Sequence, residues 1–377
     1  MIPIYKPYLP KSVLEYAHKA VDSTWISSQG KYLVDAEEKI KQLLKAPYVQ
    51  LVNNGTAATH LIAKVLYYKY PEIKKLFVPN NVYVAAWNAF KYDNRIELIP
   101  VDADVETWNF DLQKLKAAVE KCEEQCGVLV VHNVGNIVDV PALQKQLPPG
   151  TVIVEDSCEG FMGSYGGRYA GTASLASSFS FFGNKTITSG EGGAVILNDE
   201  DTANYVKSIQ GQGQEQGKRY IHDQLGYNYR MTNIQAALLV GQLDVLPTIQ
   251  EKKEDLFSYY RQEFGDMGGV RMQKSMPNTK HSNWMMGIRI LGSPSYESVA
   301  EYLRERGVDS RPMFYPMSHH SHLSDTDHGD ESIATLLSKE CVILPSYPDM
   351  TQEDRKQVVE AVRDYCKELK SMEITLV

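Results

Sequence analysis

Short apolar, β-branched runs recur through the first half of the chain: YVQLV (48–52), KLFVP (75–79), ELIPV (97–101), GVLVV (127–131), TVIVE (151–155) and AVILN (194–198). Between the first five lie segments patterned as helices, among them TAATHLIAKVLYYKY (56–70) and NFDLQKLKAAVEKC (109–122). Alternating strand and helix predicts an α/β layer architecture around a mostly parallel sheet. The runs are apolar almost throughout, as strands covered on both faces must be. After Asp199 the pattern changes. A polar, Gly/Gln-rich stretch, GQGQEQGKRYIHDQ (211–224), leads into a long helical pattern from about Asn233 to Phe264. Two strand-like runs follow, WMMGIRIL (284–291) and ECVILP (340–345), with helices expected near 296–306 and 351–371. This spacing predicts a large domain over residues 1–245 and a smaller C-terminal α/β domain over 246–377. No internal repeat or low-complexity segment is visible.

Composition narrows the partners. The 377 residues are 43% hydrophobic and 23% charged, ordinary globular usage that excludes a disordered or fibrous protein. With 39 Lys+Arg against 47 Asp+Glu the net charge is −8, which argues against nucleic acid or an anionic membrane as the partner. A single small anion in a local basic pocket stays compatible with that sign. The five cysteines (Cys122, Cys126, Cys158, Cys341, Cys366) are odd in number and scattered, which suits a reducing compartment rather than a disulfide framework. Cys122 and Cys126 have no second ligand pair, so no zinc is expected there. The stretch HHSHLSDTDHGDES (319–332) is rich in His and acids, but without a second ligand cluster it reads as a solvated loop, not a metal site. The start, MIPIYKPYLPKS, has no apolar core of signal-peptide length, and no apolar run approaches ~20 residues. A soluble, cytoplasmic protein is the expectation.

Three segments carry candidate chemistry. SSFSFFGNKTITSGEGGAVILND (177–199) reads as a strand, a turn carrying Lys185, a Gly-rich turn at 190–193 and a second strand. A lone turn lysine is ordinarily a solvated charge. In a partly apolar site it can instead lose its proton and form a Schiff base. TVIVEDSCEG (151–160) is an apolar strand ending in acids, and ligands of open α/β sheets bind at such strand ends. Asp156 serves there either as a helix N-cap or as the carboxylate that keeps a pyridine nitrogen protonated. LVNNGTAATHL (51–61) runs from strand through small residues into a helix, either a plainly capped helix or a phosphate site at a helix N-terminus. It lacks the Walker lysine, and no G-x-G-x-x-G follows the early strands, so a nicotinamide dehydrogenase lacks its fingerprint.

Over nearly its whole length the chain resembles the fold type I pyridoxal-phosphate sugar aminotransferases, the DegT-like group, and within it the perosamine-forming members. The matching stretches are DSTWISSQGKY (22–32), NNGTAATHL (53–61), VEDSCEGFMGS (154–164), SFSFFGNKTITSGEGG (178–193), GYNYRMTNIQAAL (226–238), RPMFYP (311–316) and LPSYP (344–348). The resemblance implies an aspartate-aminotransferase-like fold, with a large three-layer α/β/α domain and a smaller C-terminal α/β domain. It implies pyridoxal 5'-phosphate (PLP) as cofactor, with pyridoxamine 5'-phosphate as its aminated form. Lys185 would carry the cofactor and move the proton, and Asp156 would hold the ring nitrogen. Glu159 would sit near the ring oxygen, and Tyr83 would stack on the ring. Gly55, Thr56, Ala57 and Ser180 would bind the phosphate. Asn228 would reach the phosphate of a neighbouring subunit, which implies a homodimer with shared active sites.

By the same resemblance the substrates are glutamate and a nucleotide-diphosphate 4-keto-6-deoxy sugar aminated at C4. GDP-4-keto-6-deoxymannose is the first expectation and dTDP-4-keto-6-deoxyglucose, the viosamine route, its alternative. Candidate substrate contacts are Trp25, Ser27, Ser28, Lys218, Arg219, Arg230, Arg311 and Tyr315; arginines suit a diphosphate because their fork bonds two oxygens. In the stretch from His132 to Val140, Asn136 and Val140 depart from the group's usual residues, which puts substrate contacts there in doubt. Two rivals share the fold: a sugar 3-dehydratase, in which a histidine replaces the lysine, and a non-catalytic PLP-binding regulator. Lys185 argues against the first, and the intact lysine, aspartate and phosphate turn against the second.

Overall fold

A computed structural model of the chain describes residues 1–215 and 217–375. Helices α1 (Lys11–Asp22) and α2 (Lys31–Leu44) precede strand β1 (Tyr48–Val52). There follow α3 (Gly55–Lys69), β2 (Lys75–Pro79), α4 (Ala85–Lys91), β3 (Glu97–Val101), α5 (Leu112–Glu120), β4 (Gly127–Val131), α6 (Val140–Gln146) and β5 (Val152–Asp156). A small hairpin, β6 (Ser164–Tyr165) and β7 (Arg168–Tyr169), leads to β8 (Ala176–Ser180) and β9 (Gly193–Leu197). Seven of these strands form one sheet in the order β1-β9-β8-β5-β4-β2-β3. Its five members β3, β2, β4, β5 and β8 pair in parallel, while β9 runs antiparallel to both β8 and β1.

The expected two-sided burial holds in the middle of the sheet and lapses at its edges. In β4, Leu129 and Val131 pack with Leu61, Leu66 and Trp87 of α3 and α4, whereas Val128 and Val130 pack with Leu115 and Val119 of α5. That is the period-two alternation of a strand with a helical layer on each side. β3 is an edge strand. Its Glu97 is exposed and it tolerates Pro100, since an edge need not donate every backbone N–H. The helix α3 is buried on nearly every side, and so its sequence lacks an amphipathic stripe.

After β9 come α7 (Glu200–Gln210) and α8 (Asn233–Asp244), the latter packed with α2 and β9 in the large part, and then α9 (Leu246–Gly265). The single helix expected from Asn233 to Phe264 is therefore two. Pro247 cannot donate to a preceding turn, and sits instead at the start of α9. Beyond it lie β10 (Val270–Met272), β11 (Thr279–Lys280), β12 (Met286–Ile290), α10 (Tyr296–Glu305), β13 (Arg311–Pro312), α11 (Ser332–Glu340), β14 (Cys341–Leu344) and α12 (Gln352–Thr375). A four-stranded sheet, β10-β12-β14-β13, packs against α9, α10 and α12 around Tyr260, Ile288, Leu303, Val342 and Val362. The strand β11 pairs with the β6–β7 hairpin. Ile2 joins this C-terminal core, so the first residues of the chain cross to it.

The two sheets are joined by polar anchors as well as apolar contact. The carboxylate of Asp102, just after β3 and fully buried, accepts from Lys114 Nζ (2.9 Å). It also accepts from the first backbone N–H groups of α11, Ile333 (3.1 Å) and Ala334 (2.9 Å). Trp108, Trp284, Met313 and Ile343 form the apolar seam beside it. Among the described residues no helix is long and apolar enough to cross a membrane.

Candidate active site

A cavity of about 880 Å³ opens where β4 and β5 end and the C-terminal sheet meets the large one. Strand ends are where an open α/β sheet leaves room for a ligand. Lys185, Asp156, Glu159, Gly55, Thr56, Ala57, Tyr83, Ser180, Arg311 and Tyr315 all line it. Trp25, Ser27, Ser28, Lys218, Arg219, Asn228 and Arg230 do not line this chain's own cavity. The carbonyls of Trp25 and Ser27 accept from Asn233 at the start of α8 (both 2.6 Å). Lys218 pairs with Glu215 (2.6 Å), and the Arg219 guanidinium lies over Tyr220 (5.1 Å).

The cavity floor is set by local chemistry at each element. Asn54 caps α3, its side chain accepting from Ala57 N (2.8 Å). The amides of Gly55 and Thr56 lie in the first turn, where no intrahelical carbonyl can reach them. A methyl on Gly55 would sit 2.6 Å from Ser180 Cβ and 2.8 Å from its Oγ, so the glycine permits a hydroxyl to stand beside the helix end. Amides, dipole and hydroxyl together make a cradle suited to a phosphate. Asp156 closes β5; its carboxylate accepts from Cys158 N (3.0 Å) and faces the cavity. Lys185 follows a turn after β8, its backbone N–H donating to Phe182 O (2.9 Å).

The electrostatics concentrate on Glu159. Burial pushes its carboxyl up to about 7, against the opposing pull of Lys185, whose Nζ is 3.8 Å from Oε1, and of the Val134 amide, which donates to it at 2.7 Å. Val134 needs that bond: it sits at φ 57°, a left-handed conformation costly for a β-branched residue. Behind this wall His132 and Glu155 form a wholly buried pair (3.0 Å). Val138 N–H donates to His132 Nδ1, so the ring hydrogen lies on Nε2 and is donated to Glu155. Asn136 is buried and holds the carbonyls of Thr107 and Lys274, away from the cavity. The loop after Tyr315 is not wholly solvated. His320 lines the cavity against Trp87 (ring centroids 5.5 Å), and burial followed by its neighbours His322 and His319 lowers its pKa.

Sequence reasoning passed over several walls of the cavity. Ile4, Tyr92, Tyr229, Trp284, Met285 and Phe314 line it from five separate places in the chain. Tyr229 and Phe314 fall inside the matching stretches GYNYRMTNIQAAL and RPMFYP without having been singled out, and the other four carry no local motif. The single legible sign was the alternation in GYNYRM: Tyr227 and Tyr229 stack inward (4.9 Å apart, 10° between planes), Tyr229 bonding His60 Nδ1 (3.0 Å), while Asn228 and Arg230 are exposed.

The donor set fits PLP: a lysine amine and a carboxylate on one cavity wall, with a phosphate cradle at the α3 N-terminus. Residues 7–363 match the model of the DegT/DnrJ/EryC1/StrS aminotransferase family. The chain is 32% identical over 365 residues to GDP-perosamine synthase of Escherichia coli O157:H7, covering 97% of this chain and 98% of that protein. It is 33% identical over 377 residues to GDP-perosamine synthase of Vibrio cholerae (97% and 99% covered). Among solved structures it is similar to a GDP-4-keto-6-deoxymannose-3-dehydratase mutant with bound GDP-perosamine (TM-score 0.89, 20% identity, 96% and 100% covered). It is similar also to the PMP form of a putative sugar aminotransferase from Streptococcus pneumoniae (TM-score 0.88, 20% identity, 98% and 100% covered).

Proposed function

The chain belongs to the DegT/DnrJ/EryC1/StrS aminotransferase family, and from that premise we propose that it transfers the amino group of glutamate to C4 of GDP-4-keto-6-deoxymannose. It is a PLP-dependent sugar aminotransferase. The observation that carries the reading is the convergence of Lys185, Asp156 and the α3 N-terminus on one cavity. PLP, when bound, supplies an electrophilic carbon and a ring that accepts the electrons released at the donor's Cα.

The chain's own residues do the rest. Gly55, Thr56 and Ser180 would hold the phosphate of bound PLP. Asp156 would keep a proton on the ring nitrogen, so that the ring can accept electrons. Lys185 Nζ would take the proton from the donor's Cα and, in the second half, deliver one to the sugar carbon. Glu159, on the same cavity wall, would meet the ring oxygen. Tyr83, 59% exposed, is free to lie over a ring. Arg311, exposed at the cavity rim and tethered by Asp309 (2.8 Å), offers a fork to the substrate's diphosphate.

The working form in this proposal is a homodimer in the cytoplasm. Asn228 and Arg230 point away from their own cavity, and the neighbouring surface exposes Leu225 (84%), Tyr220 (78%) and Ile221. Such a patch suits a second copy of the chain, whose phosphate cradle Asn228 would complete.

The test is amination of GDP-4-keto-6-deoxymannose against dTDP-4-keto-6-deoxyglucose, with glutamate as donor. The purified protein should absorb visible light, and Lys185→Ala should abolish turnover. Preference for the dTDP sugar would replace the substrate, and a colourless protein unresponsive to added PLP would remove the cofactor.

A further inference from the structure

Lys185 Nζ does not point freely into the cavity. It lies 4.0 Å from the ring centroid of Trp284 and 3.8 Å from Glu159 Oε1. An ammonium over an indole face is attracted by the ring quadrupole, and more strongly when water is excluded. The lysine side chain is only 14% exposed, so this contact is largely dry.

The indole is itself fixed from several directions. Its Nε1–H donates to the carbonyl of Asn184, one residue before the lysine (2.8 Å). Its own backbone carbonyl accepts from Lys253 Nζ (2.7 Å). Lys253, on α9, is completely buried and has no carboxylate partner among the described residues; burial holds its pKa well below the usual lysine range, and its amine also donates to Ser346 O. The rings of Tyr5 and Phe257 flank that amine at 5.4 and 5.2 Å. Tyr5 in turn donates its hydroxyl to the carbonyl of Lys185 (2.9 Å). Burying a lysine this deeply is costly. The arrangement spends that cost on holding the Trp284 backbone just before β12, against the turn that carries Lys185.

We propose that Trp284, fixed by Lys253 and Asn184, is a positioning residue that holds the Lys185 amine against its face whenever that amine is not joined to the cofactor. The inference rests on Lys185 being the cofactor-carrying lysine. An amine that must alternate between a covalent partner and proton transfer needs a defined place between the two. The indole face beside Glu159 is such a place, on the wall of the cavity itself.

The test uses the full-length protein freed of cofactor, so that it is independent of whether the sugar is aminated. Trace acetic anhydride labels exposed amines, and the Lys185-containing peptide is quantified by mass spectrometry. An amine that must first leave the ring face reacts slowly. Trp284→Met should therefore raise labelling of Lys185 about tenfold and Trp284→Phe, which keeps a π face, about threefold. In parallel, iodoacetamide labelling of Cys158, which lines the same cavity, reports whether the cavity has simply opened. It should stay within about twofold of the wild-type rate. Wild-type labelling of Lys185 in both variants overturns the proposal, and so does a matching rise at Cys158. If Trp284→Met does not fold, the threefold rise in Trp284→Phe decides alone. Loss of amination with labelling as described would fault the substrate reading and leave this one standing.

Discussion

Replacing Glu159 by Gln tests the electrostatics of the cavity wall without reference to turnover. Between the ordinary carboxyl value of 4.5 and its buried value of about 7, the folded protein holds a proton on Glu159 that the unfolded chain has released. Stability therefore falls as pH rises through that window, and the full cost is carried above pH 7. At about 1.4 kcal/mol per pH unit, the cost is roughly 3 kcal/mol for the cofactor-free protein. Gln keeps an acceptor for the Val134 amide but does not ionise. Thermal melts of the cofactor-free wild type and Glu159→Gln, compared from pH 4.5 to 8, should diverge as pH rises, with the variant the more stable above pH 7. Parallel curves across the range would refute the burial argument. They would mean that Lys185, at 3.8 Å, already neutralises the carboxylate.

Three further outcomes are expected. Gly55→Ala should weaken PLP binding about tenfold, because the new methyl meets Ser180 at 2.6 Å. Equilibrium titration of the cofactor reads the loss, and wild-type affinity would mean that Ser180 moves aside freely. Asp156→Asn should retain some cofactor yet lose most activity, since an amide cannot hold the ring-nitrogen proton; steady-state rates near wild type would overturn its role. Mixing Lys185→Ala and Asn228→Ala subunits should restore activity above either variant alone, if the cavities are shared across a dimer; no gain on mixing would separate Asn228 from the phosphate.

Much of the fold was legible because its core strands obey one rule. A strand covered on both faces, such as GVLVV at 127–131, can hardly be anything else, and its limits match β4. Where burial is one-sided or the backbone breaks, the pattern misleads. Pro247 divides a helical stretch whose apolar periodicity runs straight through it. Trp284 and Met285, read as the start of a strand, are the two residues before β12 begins and line the cavity instead. In the site, the residues carried by strand-end motifs arrived together, because Asp156 ends β5 while Gly55 and Lys185 follow β1 and β8 of the same sheet by a few residues. The opposite wall is assembled from distant turns. Lys253 looks in sequence like any solvated helix lysine, and only the packing of α9 shows that it is enclosed.

Asp102 gives the enzyme a stiff frame. Its carboxylate caps α11 while gripping Lys114, so moving the C-terminal unit away breaks two backbone hydrogen bonds to a charged group, at about 1.5–3 kcal/mol each. In the function proposed above, glutamate and a bulky sugar nucleotide would then enter by the same mouth, and the choice between them would fall to side chains lining the cavity, such as Tyr83 and Arg311, rather than to the opening and shutting of the molecule.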